Sequence, residues 1–160
     1  MKIRYLPFAV VRDALELYSP TTGERMFGYA PRDQNPPWWL ISITEGQGDL
    51  PLNPCHLQEW ECRGVLSLAF HDFDPKKSQE PGLLPFNSGH AQNVIKFIDG
   101  IHQNHHLIIH CTAGISRSGA VAKFAAEYTG TPWEEVTCFY AEAIPNIHVL
   151  STLRAEAGLS

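Results

Sequence analysis

Between His110 and Ser118 the chain reads HCTAGISRS, and the residue types in that string suit the binding and cleavage of an oxyanion. Arg117 is a permanent cation whose planar fork can hold two oxygens of a tetrahedral anion. Gly114 lets the backbone curl closely around such a group. Thr112, Ala113, Ile115 and Ser116 complete the loop, and their backbone N–H groups would face the same anion. Cys111 stands at the base of the loop. Amides, a helix dipole and a guanidinium are surroundings that favour a cysteine's thiolate over its thiol. The chemistry such a set supports is attack of sulfur on the phosphorus of a bound phosphate ester. Ser118 can hydrogen-bond Cys111 and stabilise it as the leaving group when water hydrolyses the phosphocysteine.

For those side chains to converge, the string has to lie where a strand turns into a helix. The first N–H groups of a helix have no intrahelical partner and point outward with the positive end of the dipole, which makes an anion site. The flanking sequence provides that junction. Leu107–His110 is a short apolar strand, and Ser118–Thr129 is rich in helix formers up to Gly130 as a stop. Upstream, Lys2–Val11 reads as a first strand, Arg12–Tyr18 as a short helix, and Trp38–Thr44 and Val65–Phe70 as strands. The run Val65–Phe70 has the continuous apolar character of a parallel strand covered on both faces.

Residues 19–37 carry Pro20, Gly23, Gly28, Pro31, Pro36 and Pro37 and read as a loop excursion, with Arg25–Tyr29 as a short edge strand within it. Gly46–Pro54 is rich in turn residues, and a polar loop follows from Asp72 to Gly89. Ser88 is placed to cap a helix with an apolar stripe at Ala91, Val94, Ile95, Ile98 and Ile101, ended by His102–His106. Thr131, Pro132 and Glu134 signal the start of another helix over residues 133–143, and Asn146 can cap a last one reaching about Ala157. Strands alternating with helices imply an α/β fold. The expectation is a single domain over residues 1–160, with a central, mostly parallel sheet of about four to five strands flanked by helices.

The string His110-Cys111-Thr112-Ala113-Gly114-Ile115-Ser116-Arg117-Ser118 resembles the HCxxGxxR[ST] signature of the protein-tyrosine and dual-specificity phosphatases. With this composition a chance match at the specified positions has a probability on the order of one in ten thousand, so a buried cysteine and a surface arginine flanking an ordinary turn explain it poorly. The resemblance extends more weakly from about Trp38 to Leu153, and Pro145-Asn146 with Val149 is similar to the start of the family's last helix. It implies a dual-specificity-phosphatase-like fold and a phosphocysteine mechanism without a cofactor or metal. It also implies that His110 lies beneath the loop and orients Cys111, the alternative being a satisfied core histidine.

The same resemblance implies a general acid, an aspartate on a loop above the phosphate that protonates the departing oxygen. Asp72, just beyond the end of Val65–Phe70, is the first choice. Asp74, which precedes Pro75, is the alternative and also suits a turn. Because Thr112, Ala113, Ile115 and Ser116 include no lysine, the loop lacks the extra cations that highly charged phosphoinositides require. A phosphorylated protein is the expected partner: phosphotyrosine, with pocket depth deciding whether phosphoserine and phosphothreonine also enter.

Bulk properties narrow the alternatives. A net charge of −5 argues against a nucleic-acid or anionic-membrane surface. Cys55, Cys62, Cys111 and Cys138 are scattered, with no CxxC pair, so neither a zinc knuckle nor a disulfide framework is indicated, and a cytoplasmic setting is the simpler reading. Pro7 and Arg12-Asp13 interrupt the apolar start before any leader-like pattern develops. His102, His105 and His106 suit a solvated helix end better than a metal site. Trp38, Trp39, Trp60 and Trp133 read as packing, and the cysteines other than Cys111 as small apolar fillers. Two rivals remain: a catalytically inactive phosphate-binding module, and another cysteine-loop enzyme such as a sulfurtransferase or arsenate reductase.

Overall fold

A computed structural model describes residues 1–11, 37–45, 62–77, 80–138 and 143–159. Among these residues five strands form one sheet: β1 (Lys2–Pro7), β2 (Trp38–Thr44), β3 (Cys62–Ala69), β4 (His106–Cys111) and β5 (Thr137–Cys138). Their order is β3-β2-β4-β1-β5, and every neighbouring pair is parallel. The fold is therefore α/β, as the alternation of strands and helices implies. Parallel neighbours need crossover connections. α1 (Ser88–Asp99) lies between β3 and β4, α2 (Arg117–Thr129) follows β4, and α3 (Ile147–Glu156) comes after β5.

These three helices contribute to one core against one face of the sheet. Ile3 and Tyr5 of β1, Ile41 and Ile43 of β2, and Leu107 and Ile109 of β4 meet Val94 and Ile98 of α1, Val121 and Phe124 of α2, and Val149 and Leu153 of α3. These strand positions alternate, as the pleat requires for one face. Leu6, Leu40 and Ile108, on the opposite face, are also buried. Every residue of β4 is buried, so the loop that follows it emerges from the most enclosed part of the sheet.

Several boundaries differ from the sequence reading. β1 stops at Pro7, whose missing N–H cannot serve a continuing ladder, and residues 8–11 are helical. β3 begins at Cys62 and lies at the sheet edge. Its exposed and less exposed residues alternate, and Val65 is 43 % exposed, so it is not covered on both faces. Asn87, not Ser88, caps α1: its side chain accepts the His90 N–H, while His90 Nδ1 accepts the Asn87 N–H, an imidazole taking the part glutamate plays in a capping box. α1 ends at Asp99, and His106 begins β4 instead of closing the helix.

The largest difference concerns residues 133–143. Among the described residues of this stretch, 133–138 and 143, only Trp133–Glu135 is helical, as a 3-10 turn, and Thr137–Cys138 pairs with Arg4 and Tyr5 as β5. β-branched Val136 and Thr137 suit a strand, and pairing with the β1 edge outweighs the local capping signal. The last helix does start after Asn146, whose side chain accepts the Val149 N–H. The expected helix Arg12–Tyr18, the excursion with its strand Arg25–Tyr29 and the turns of Gly46–Pro54 fall outside the described residues, apart from Pro37. Trp60 and Cys55 lie outside them as well.

Candidate active site

β4 ends at Cys111 and α2 begins at Arg117, so residues 112–116 form the junction that the oxyanion chemistry requires. Gly114 has φ +70°, in the left-handed region, and its N–H reaches Cys111 Sγ at 3.2 Å. A Cβ at Gly114 would run into the backbone of Leu6 and Pro7, because the loop crosses the end of β1, where Pro7 pairs with Cys111. Both the curl and the close approach restrict this position to glycine.

Cys111 is 2 % exposed, and its Sγ lies 3.2 Å from Ser118 Oγ as well as 3.2 Å from the Gly114 nitrogen. Ser118 sits in the first turn of α2 and is fully buried. Thr112 and Ala113 are exposed at the outer rim, while Ile115 and Ser116 are half-buried. Ser116 is the N-cap residue of α2, yet its hydroxyl makes no cap bond and instead donates to Asp72 Oδ1 at 2.9 Å.

Arg117 is 3 % exposed. Its guanidinium donates from Nη1 to Phe70 O at 2.9 Å and from Nη2 to Thr112 Oγ1 at 3.2 Å, and Nη2 forms an ion pair with Glu45 at 3.0 Å. Nε is buried and has no hydrogen-bond partner among the described residues. A buried donor left unused on a cation is costly unless something else answers it.

Asp72 and Asp74 are placed differently. Asp72 Oδ1 receives Ser116 Oγ and, at 2.8 Å, Asn146 Nδ2, so this carboxylate is moored to the loop. Asp74 accepts the Lys76 N–H at 3.0 Å and lies 3.9 Å from Lys77 Nζ, which makes it the organiser of its own turn. His110 is fully buried in β4 between Leu6 and Ser42, with its ring 5.2 Å from that of Phe8. Neighbouring side chains of a strand alternate faces, so His110 lies across the sheet from Cys111.

Two participants escaped the sequence reading. Glu45, just past β2, reaches Arg117 because β2 and β4 are neighbours. No local signal in the sequence reveals that contact. Asn146 was visible only as a cap; it also donates its backbone N–H to Ser116 O at 3.2 Å and its side chain to Asp72. Among the described residues no group of three His, Cys, Asp or Glu is placed to hold a metal ion, and no helix is long and apolar enough to cross a membrane. His102 and His105 do approach one another, but His105 Nδ1 accepts the Trp39 indole N–H at 3.0 Å and His102 Nδ1 accepts the Asn104 N–H.

A separate cavity of about 420 Å³ beside β5 is lined by Tyr5, Lys123, Trp133, Cys138 and Pro145 among others, and contains no residue of the Cys111–Arg117 loop. Burial and then the Cys138 side chain push the Tyr5 hydroxyl well above its ordinary range, so it stays protonated there. No protein-family model matches the chain, and no curated protein is detectably similar to it.

Proposed function

We propose that the chain is a cysteine-dependent phosphoprotein phosphatase that hydrolyses phosphotyrosine through a phosphocysteine intermediate, with phosphoserine and phosphothreonine as the second substrate class to be tested. The observation that carries this reading is the buried cluster at the β4–α2 junction: Cys111 Sγ within 3.2 Å of both the Gly114 amide and Ser118 Oγ, with the Arg117 guanidinium buried beside it.

In this mechanism the phosphate ester enters the loop, and the amides and Arg117 hold its non-bridging oxygens. Cys111 Sγ attacks phosphorus, the S–P bond forms, and the bond from phosphorus to the ester oxygen breaks. Asp72 gives its proton to the departing oxygen. Water then attacks the phosphocysteine, Asp72 takes back a proton, and the S–P bond breaks to release inorganic phosphate. The Ser118 hydroxyl stabilises Cys111 as it leaves. Asp72 is favoured over Asp74 because its bonds are to the loop, whereas those of Asp74 are to its own turn.

Turnover of p-nitrophenyl phosphate and of a phosphotyrosine peptide tests the reading. The unmodified chain should hydrolyse both, and Cys111→Ser should hydrolyse neither while still binding phosphopeptide. Binding without turnover by the unmodified chain would favour an inactive phosphate-binding module. Activity on thiosulfate or arsenate in place of phosphate esters would move the chain to another class of cysteine-loop enzyme.

A further inference from the structure

Three large apolar side chains are left in water in segments whose neighbouring residues bond the candidate site. Ile144 and Ile147 are 71 % and 70 % exposed, and Leu84 is 54 % exposed. Each is fixed next to a group that touches the candidate machinery. Ile144 and Ile147 flank Pro145-Asn146, and Asn146 bonds both Ser116 and Asp72. Leu84 is held twice by His71, the residue before Asp72: the His71 N–H donates to Leu84 O at 2.8 Å, and His71 Nδ1 accepts the Leu84 N–H at 3.0 Å. The two segments are themselves joined, since His148 Nε2 lies 2.9 Å from Phe86 O.

The internal packing of these segments is supplied by Phe86, Val149 and Leu150, which are buried. Leu84, Ile144 and Ile147 are thus not serving the core. Single exposed aliphatic residues are ordinary, but a group of them bordering a polar site marks a contact surface.

On the phosphatase reading, we propose that Leu84, Ile144 and Ile147 form a shelf for a phosphoprotein segment that carries a bulky aliphatic or aromatic side chain within a few residues of the phosphorylated one. Continuity with the loop identifies this occupant. The shelf starts at residues bonded to Asp72 and Ser116, so a segment with its phosphate in the loop passes over it on that side. An apolar side chain there removes its own surface and the shelf's from water. A carboxylate in the same place would lose hydration without gaining a partner. A small aryl phosphate ends before the shelf.

The test compares matched phosphotyrosine peptides with leucine or glutamate in the flanking positions, alongside p-nitrophenyl phosphate, on the unmodified chain and on the Ile144→Ser/Ile147→Ser double variant. The leucine peptide should be preferred by about 10-fold in kcat/KM. The double variant should lose most of that preference with its p-nitrophenyl phosphate turnover unchanged. If the unmodified chain turns over p-nitrophenyl phosphate but does not discriminate between the peptides, or if the preference survives in the double variant, the shelf is overturned and the phosphatase reading stands. If the unmodified chain turns over no phosphate ester, both fall. A dimer in sedimentation that the double variant dissolves would assign this surface to a second copy of the chain and overturn the proposal.

Discussion

A buried guanidinium is tolerable only where its charge is answered, and Arg117 is answered by the Phe70 carbonyl, the Thr112 hydroxyl and the Glu45 carboxylate. Those contacts fix the plane of the fork and leave Nε without a hydrogen-bond partner among the described residues, the donor that on the phosphatase reading meets the phosphate. Lysine at this position carries the charge without the plane. Arg117→Lys should therefore lower kcat/KM for phosphotyrosine peptide by about 10²-fold or more, the scale of losing a charge-stabilising donor, in protein that is measured below its own, lowered Tm. Near-normal kinetics would show that the fork is not what holds phosphate. Asp72→Asn should slow phenyl phosphate by roughly 10² to 10⁴, because its leaving oxygen is basic, and impair a substrate with an acidic leaving group much less. Asp74→Asn should slow both modestly and alike. The opposite pattern would transfer the acid role to Asp74.

Asn146 joins three parts of the fold: it caps α3, bonds the loop through Ser116 O and moors Asp72. Asn146→Ala should cost about 1 kcal/mol of stability through the lost cap. It should also steepen the dependence of rate on leaving-group basicity as Asp72 loosens. A stability loss with no kinetic change would confine Asn146 to capping. Gly114→Ala combines a positive φ with a collision against β1, so it should destabilise the protein by more than about 1 kcal/mol and abolish phosphate binding.

The first residue of β4 gives a pH-dependent prediction. Burial, then the charges of Lys2 and Arg4, hold the His106 imidazole down to about 4, against an ordinary 6.5. At neutral pH it is uncharged both folded and unfolded, and the shift costs nothing. Between the two values the unfolded chain binds the proton and the folded chain does not, so stability falls as the pH drops through that window, by on the order of 2–3 kcal/mol in all. His106→Gln should narrow the gap in Tm between neutral pH and about pH 5 by about 3–6 °C. An unchanged gap would show that other groups govern the acid limb.

At the scale of the whole molecule, what the sequence made legible was what local chemistry encodes. The strand-to-helix junction between Cys111 and Arg117 could be read because an apolar run, a glycine and a stretch of helix formers follow one another within a few positions. α1 could be read because its apolar stripe matches a helix's period, α2 from its helix formers and the stop at Gly130, and β2 from its apolar run. Residues 136–138 depart from the expected helix because the capping signal is local and pairing with β1 is not. Glu45 and the mooring of Asp72 by Asn146 were invisible because they arise from strand order and helix placement across 72 and 74 residues of chain. The α2–α3 link from Arg154 to both oxygens of Glu127, at 2.6 and 2.8 Å, is of the same kind. It holds the Glu127 carboxyl below its ordinary range through those hydrogen bonds, though at a half-exposed site it contributes little to stability. Because Arg117 and amides would carry the charge stabilisation, hydrolysis should persist in excess EDTA. Complete loss restored by zinc or magnesium would replace this mechanism with a metal-dependent one.

The most direct test of the central claim is to quench a single turnover with acid and map the covalent phosphate by mass spectrometry. Phosphate on the peptide that contains Cys111, formed at least as fast as product is released and absent in Cys111→Ser, is the predicted result. Phosphate on another residue, or full turnover in Cys111→Ser with no covalent species, would contradict it.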